Sequence, residues 1–312
     1  MNNYVARIKT IKKALQLPEK EVFEPAQSGT HHIVFLSKDY VVRFRDGNPE
    51  LLSREAEVLK RLTHPLIPKI LWVGSPQSSG MAENRLPGKT LDSIWSTLTP
   101  TDQSNIIDEI IQFLQYLRTQ HQDYYYSINT GKKYDNYRDL LLDSKDEKIN
   151  LIKKHREADH LLQELLNTIE SDEYKSLFTN QVKIVLVHGD MINHNLLIDG
   201  NNLTGILDWE LAQFGDPDYD LFRLFYYQER AKAYDNQGID ETFETHFMDK
   251  LITAIIKSNL IEDIKQFQKR YAFVRAIFFL NALTWAARSD NPHLHIKELV
   301  MLWDKKSGTN IT

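Results

Sequence analysis

The sequence contains no cysteine. Disulfides, thiolate nucleophiles and cysteine-built zinc sites are therefore excluded, and a reducing compartment suits the chain. It also lacks a basic excess: 38 Lys and Arg stand against 43 Asp and Glu, a formal charge of -5. Phosphate backbones call for a cationic footprint, so nucleic acid is not an expected partner. A mildly acidic surface instead suits a cationic small molecule. No long apolar run is present: the most apolar stretch, YAFVRAIFFLNALTWAA, is broken by Arg275 and Asn281 and is short for a bilayer span. A buried helix is expected there, and no membrane partner. The N-terminal MNNYVARIKTIKKALQL lacks the uninterrupted apolar core of a secretory signal and reads as a short amphipathic helix, so a cytoplasmic location is expected. Internal repeats and low-complexity tracts are absent as well.

What is present is enough apolar material for more than one core. At 312 residues, 42% hydrophobic and 26% charged, the chain falls in the ordinary globular range and has room for two lobes. Its first part is strand-rich. IVFL and YVVRF flank SKD as a hairpin would, and KILWVG and GMAENRL read as two more strands around SPQSS. Between these pairs NPELLSREAEVLKRL reads as one helix, with Leu51, Leu52, Val58, Leu59 and Leu62 as its apolar set, ending near Pro65. After LPGKTL the character changes to long helices. TPTDQSNIIDEIIQFLQYLRTQ offers Thr101 as N-cap and Ile106, Ile107, Ile110, Phe113, Leu114 and Leu117 on one face. More helices are expected over ADHLLQELLNTI, DLFRLFYYQERAKAY, ETFETHFMDKLITAIIKSNL and QFQKRYAFVRAIFFLNALTWAARS. The expected organisation is α+β: a small β-rich N-terminal lobe at 1–84, then a larger, mainly helical lobe at 85–312 with a single hairpin.

That hairpin carries the chemistry. VHGDMINHNLLIDGNNLTGILDWE sets three aspartates, two histidines, a glutamate and several asparagines among the apolar runs VKIVLV and LTGIL. The strands LLID and LTGIL return the chain, so Asp190, Asn195 and Asp208 can converge at one end. Hard oxygen ligands beside a separate carboxylate are what magnesium-assisted phosphoryl transfer needs: Asn195 and Asp208 for the metal, Asp190 for the attacking hydroxyl. A plainer reading makes each aspartate an Asx-turn or helix cap. A rival reading builds a transition-metal site from His188, Asp190, His194 and Asp208.

HGDMINHN, followed by ILDWELAQFGDPDYDL, resembles the catalytic and metal-binding loops of the aminoglycoside phosphotransferase-like kinases, relatives of the protein kinases. The order of elements is similar over most of the chain, and the specific residues lie between His188 and Leu221. The resemblance implies a bilobal protein-kinase-like fold, Mg2+ as cofactor and ATP or GTP as co-substrate. It makes Asp190 the catalytic aspartate, Asn195 and Asp208 the magnesium ligands, and His188 a brace of the loop. It gives Asp216 the following turn to brace, and makes Asp220 the support of the loop from a helix start.

For the small lobe the resemblance implies a nucleotide cradle. EPAQSGTHHIVF stands where the phosphate-covering hairpin would lie, without G-x-G-x-x-G, and offers Ser28, Gly29 and Thr30 to the phosphates. Arg43 stands where the family carries its phosphate-reaching basic residue, usually lysine, and Glu55 is its helix partner. Arg45 is the alternative on the same strand face. An arginine brings a planar fork in place of a point charge. MAENRLPGKTL resembles the lobe-connecting hinge, with backbone at Glu83 to Arg85 facing the purine and Met81 either near the base or in the core. The acidic segment from Glu229 through Asp235 and Asp240 to Glu241 and Glu244 could pair with acceptor ammonium groups. Trp303 or Trp285 could wall a sugar site, although the spacing of Trp285 reads as core.

The resulting expectation is a magnesium-dependent kinase of a small-molecule hydroxyl acceptor. Aminoglycosides lead by resemblance; macrolides, choline, homoserine and related metabolites remain open, as does a non-catalytic nucleotide-binding module. Protein phosphorylation is disfavoured, because HGD stands where protein kinases have HRD and neither DFG nor APE follows. No oligomeric state is read from the sequence.

Overall fold

The computed structural model describes residues 2–26, 33–45, 48–75, 80–175, 177–178, 183–235 and 242–304. Two compact units emerge: Met1–Ile106 with Ser127–Lys132 and Asp190–Ala212, and Ile107–Tyr126 with Lys133–Gly189 and Gln213–Thr312. These units cut the chain differently from a single division after residue 84.

The first unit begins with helix α1 (Asn2–Ala14) and strands β1 (Glu24–Pro25), β2 (Ile33–Leu36) and β3 (Tyr40–Phe44). Helix α2 (Pro49–Leu59), β4 (Ile70–Val73) and β5 (Gly80–Asn84) follow. The five strands form one antiparallel sheet in the order β1-β2-β3-β5-β4. Successive side chains of a strand face opposite ways, so this sheet sorts its residues into two layers. Val42, Phe44 and Ala82 face Ile8 and Ile11 of α1, joined by Tyr4, Phe35 and Trp72. Met81 goes the other way, against Leu52 and Ala56 of α2. Arg43 lies opposite Met81 in the β3–β5 register, so the alternation that buries Val42 and Phe44 against α1 turns Arg43 towards α2. Glu55 shares the helix face of Leu52 and Ala56, since positions three and four apart are neighbours.

After β5 come β6 (Lys89–Thr90) and α3 (Leu91–Ile94); the hairpin of β10 (Leu196–Asp199) and β11 (Asn202–Ile206) completes this unit. β6 pairs with β10 through Leu197↔Thr90 and Ile198↔Lys89. Gly88 permits that join: its φ is +112, and a Cβ there would lie 2.5 Å from the Ile198 carbonyl oxygen. A side chain at 88 would collide with the strand it must approach.

Helix α4 (Pro100–Leu117) begins in the first unit and continues in the second. Its six expected core residues are all buried. Its cap is Thr99, not Thr101: Thr99 Oγ1 accepts from the Asp102 N–H (3.2 Å) and the Asp102 carboxylate accepts from the Thr99 N–H (3.3 Å). The helix starts two residues earlier than a Thr101 cap would set it, because Pro100 suits the first helical position.

The second unit is mainly helical: α5 (Tyr137–Leu141), α6 (Lys145–Ile152), α7 (Asp159–Glu170), α8 (Asp172–Lys175), α9 (Tyr219–Asp235), α10 (Thr242–Lys257), α11 (Ile264–Ala286) and α12 (Pro292–Asp304). Asp263 caps α11 by accepting from the N–H groups of Lys265 and Gln266. The core is aromatic, with Phe222, Phe225, Phe267 and Tyr271 in mutual ring contact. A second antiparallel arrangement joins β7 (Tyr125–Ser127), β8 (Lys133–Tyr134), β9 (Val185–Val187) and β12 (Gln213–Gly215) in the order β8-β7-β12-β9. The sequence reading did not anticipate this sheet, because two- and three-residue strands carry no usable periodicity. Among the described residues, no helix is long and apolar enough to cross a membrane.

Candidate active site

The loop between Gly189 and β10 is held by its own polar groups. Gly189 has φ +81, a left-handed turn that glycine adopts at little cost. Two residues on, the Ile192 N–H donates to the Asp190 carbonyl at 2.9 Å, and Asn195 N–H donates to the Ile192 carbonyl at 2.9 Å. The Asn195 amide nitrogen donates back to the Asp190 carbonyl at 2.9 Å and to its carboxylate at 3.3 Å. Turning the amide nitrogen towards Asp190 leaves Oδ1, a hard oxygen, on the other side of the amide. His194 reaches the Asp92 carboxylate through Nδ1 at 2.8 Å.

Asp208 is brought to this loop by the backbone. The Leu207 N–H donates to the Asn195 carbonyl at 2.8 Å, which sets the residue before Asp208 against Asn195. Asp208 itself has φ +62. That left-handed conformation is unfavourable for most side chains and is tolerated by aspartate. Trp209 next to it is fully buried and donates Nε1–H to the Ile206 carbonyl at 3.0 Å.

Arg43 faces the same loop from β3. Its two terminal nitrogens bond the Glu55 carboxylate at 2.6 and 3.2 Å, and both side chains are buried. Two further carboxylates approach the same guanidinium at 3.9 Å, those of Glu83 and Asp208. Burial works against the charge of Arg43, but Glu55, Glu83 and Asp208 outweigh it and raise its pKa further above the usual range. Glu83 loses the same contest: burial pushes its pKa up to about 7, Arg43 pulls it down, and Glu55 and Asp208 push it up again. Glu83 Oε2 is buried and makes no hydrogen bond among the described residues. Three carboxylates thus share one guanidinium, an excess of negative charge that a cation would relieve. Beside them, Arg45 pairs with Glu210.

Within the second unit, the residues that precede the loop are held by α9. The Asp220 carboxylate, in the first turn of α9, accepts from the N–H of His188 (2.9 Å) and of Gly189 (2.6 Å), immediately before Asp190 in the chain. Burial raises the pKa of Asp220, while His188 and the two N–H groups lower it. Asp216 accepts from the Asp218 N–H at 2.8 Å and from Arg270 at 2.7 Å. Arg270 also bonds Asp218, whose other oxygen takes Arg118 at 2.8 Å. Burial pushes both carboxyls up and Arg270 opposes it. Gly215 admits Tyr137 beneath this turn: a Cβ there would lie 2.5 Å from the tyrosine ring. Asp218 lies within the GDPDYDL segment but was given no role there, and Arg270, Arg118 and Tyr137 belong to no motif in the sequence.

The remaining expected residues are placed less uniformly. Ser28, Gly29 and Thr30 lie outside the described residues, as do Asp240 and Glu241. Asp235 and Glu244 fall in α9 and α10. Met81 is fully buried between Leu52 and Ala56. The backbone of Glu83 lies inside β5, opposite Val41 on one side and Ile70 on the other. The Arg85 N–H donates to the Asp39 carbonyl at 2.9 Å, so it is not a donor for a base edge. The Glu229 carboxylate is bonded by Tyr271 (2.8 Å) and Arg275 (2.6 Å). Arg275 stacks on Trp303, whose Nε1 donates to Glu164 at 2.6 Å. Trp285 is not a core residue: it is 63% exposed and packs against His295. It sits in an apolar run whose neighbours Leu283, Thr284 and Ala286 are buried, but its own side of α11 is the uncovered one. Among the described residues, no three His, Cys, Asp or Glu side chains form a metal-holding group, so the rival four-residue site is not assembled there.

Comparison with known proteins sets this geometry in context. A family model described as "Phosphotransferase enzyme family" matches residues 22–251. Hygromycin-B 4-O-kinase of Escherichia coli is 37% identical over 43 residues, a stretch that is 14% of this chain and 13% of that protein. Among solved structures, ADP-bound aminoglycoside phosphotransferase APH(2'')-Ib superposes with a TM-score of 0.65 at 18% identity, covering 95% of this chain and 96% of that one. Aminoglycoside phosphotransferase APH(4)-Ia gives 0.65 at 16% identity, over 97% and 100% of the two chains. The streptomycin–ATP ternary complex of APH(2'')-IIa gives 0.62 at 18%, over 95% of each. These structures share the fold.

Proposed function

The chain belongs to the phosphotransferase enzyme family, the aminoglycoside phosphotransferase-like small-molecule kinases of protein-kinase-like fold, and from that premise we propose that it transfers the γ-phosphoryl group of ATP or GTP to a small-molecule hydroxyl. The observation that carries the reading is the tie between Asp190, Asn195 and Asp208: the Asn195 side chain bonds Asp190, and its carbonyl takes the N–H preceding Asp208.

Asp190 orients the acceptor hydroxyl and takes its proton as the new O–P bond forms and the bond to the β-phosphate oxygen breaks. Asn195, through Oδ1, and Asp208 would hold magnesium, which favours a few hard oxygens and leaves the rest of its shell to phosphates. The donor set fits, and so does the excess of carboxylates around Arg43. When bound, magnesium neutralises charge on the phosphoryl oxygens. Arg43 spends both terminal nitrogens on Glu55, so its part is to hold β3, α2 and Asp208 in register more than to extend towards a phosphate as a lysine would. Asp220 holds the two residues before Asp190 by their N–H groups, which fixes the start of the catalytic loop.

An aminoglycoside heads the acceptor classes, because the relatives above act on or bind such compounds. The test is ADP or GDP release with magnesium across aminoglycosides, macrolides, choline and homoserine, beside an Asp190→Ala control. Acceptor-stimulated release that vanishes in the control is expected. Release no greater than the control with every acceptor would refute the kinase reading for these classes.

A further inference from the structure

We propose that Arg45 and Glu210 are a positioning pair that sets the Asp208 turn against strand β3, and thereby sets how tightly the site takes a magnesium-complexed nucleoside triphosphate. The inference rests on the reading of Asp208 as a metal ligand. Its starting point is a matched spacing. Arg43 on β3 and Arg45 just past its end put two guanidinium groups two residues apart; on the facing segment the carboxylates of Asp208 and Glu210 are also two residues apart. Arg43 lies 3.9 Å from Asp208, and Arg45 bonds Glu210. One short stretch of chain therefore faces both ends of the turn.

The turn needs such a grip. Asp208 is held at φ +62, a conformation it would leave readily if its neighbours allowed. Trp209 anchors the next residue inward, through burial and its bond to the Ile206 carbonyl. Glu210 anchors the one after that to Arg45. Trp209 fixes where the segment lies through its burial, and the Arg45 bond ties the far end of the turn to the residue just past β3. The Arg45 and Glu210 side chains are 17% and 14% exposed, which separates them from solvated surface pairs that contribute little. Arginine stays protonated across the physiological range, so the pair is a constant tie and not a pH switch.

The division of labour makes a sharp expectation. Losing the pair should leave the fold standing on Trp209 and the hairpin, yet loosen Asp208 relative to Arg43. Binding of ATP and GTP to the full chain is measured by calorimetry, with magnesium and again with excess chelator, alongside thermal unfolding without ligand. Arg45→Met and Glu210→Gln are each expected to weaken magnesium-nucleotide binding by about 10-fold, the scale of losing a partner behind a metal ligand. Nucleotide binding in chelator and unfolding of the free chain should stay close to wild type. Arg45→Glu combined with Glu210→Arg should recover much of the loss. Unchanged magnesium-nucleotide affinity in both single variants would overturn the proposal. So would equal losses with and without magnesium, or a loss in Glu210→Gln alone, which would mean that Glu210 acts by itself. A wild-type chain that binds neither nucleotide with magnesium would overturn the proposed function, and this inference with it.

Discussion

Around Arg43, the carboxylates of Glu55, Glu83 and Asp208 share one guanidinium; around Asp216 and Asp218, two carboxylates have two guanidinium groups, Arg270 and Arg118. Both clusters are built from arginine and acid, and among their acids only the Asp208 side chain, 39% exposed, reaches solvent appreciably. The second is balanced, and its hydrogen bonds run to the turn before α9 and to the carbonyls of Pro217 and Leu260. The first is left anionic, with Glu83 pushed up to about 7 and one of its oxygens without a hydrogen bond among the described residues. A buried excess of one sign is costly for folding alone and is relieved by a ligand of the other sign. The comparison therefore separates a charge-balanced cluster from an unbalanced one without reference to any motif.

Breaking each side should have different consequences. The largest effect belongs to Asp190→Ala, which is expected to lower turnover by about 10²- to 10⁴-fold, the range for loss of a positioned base, while nucleotide binding persists. Steady-state kinetics beside calorimetric nucleotide binding checks it, and unchanged turnover would remove Asp190 from the mechanism. Next is the balanced cluster. Arg270→Ala leaves two buried aspartates without their shared partner and should cost about 3–5 kcal/mol in denaturant unfolding. A loss below about 1 kcal/mol would mean that Arg118 alone balances the cluster.

On the anionic side the sign reverses. The folded pKa of Glu83 stands near 7 against an ordinary value of 4.5. Its contribution to stability is therefore fully present below pH 4.5 and is lost as pH rises through 7. Glu83→Gln, which cannot ionise, should leave stability at pH 4 nearly unchanged and raise it at pH 8 by up to about 3 kcal/mol. Equal stability of the two chains at pH 8 would show that Glu83 is not strained in its charged form. The smallest effect is expected at Trp285, whose exposure predicts that Trp285→Ala costs no more than about 0.5 kcal/mol in the same unfolding measurement. A loss of several kcal/mol would restore the core reading of that residue.

These contrasts show where the sequence was informative. HGDMINHN and DWE stand close together along the chain, and their loop is closed by bonds spanning five residues, so the motif could be read before the fold was known. Alternation in YVVRF put Arg43 and Arg45 on one face, and the family resemblance offered Glu55 as the helix partner of Arg43, which it is. The short strands β7, β8, β9 and β12 had no such signal, and neither did Arg270, which lies 54 residues from Asp216 in the chain. Trp285 had a signal that misled, because an apolar run records composition and not which side of a helix is covered.

By itself the sequence carried the long helices, the strands of the first sheet and the loop motif, because periodicity and local hydrogen bonding act over a few residues. Tertiary structure alone decided that Arg43 takes Glu55 while Arg45 takes Glu210 across a separation of 165 residues. It also decided that Glu83 turns inward to join them. Each of those choices depends on which faces are brought together, and contacts distant along the chain leave no pattern in its local order.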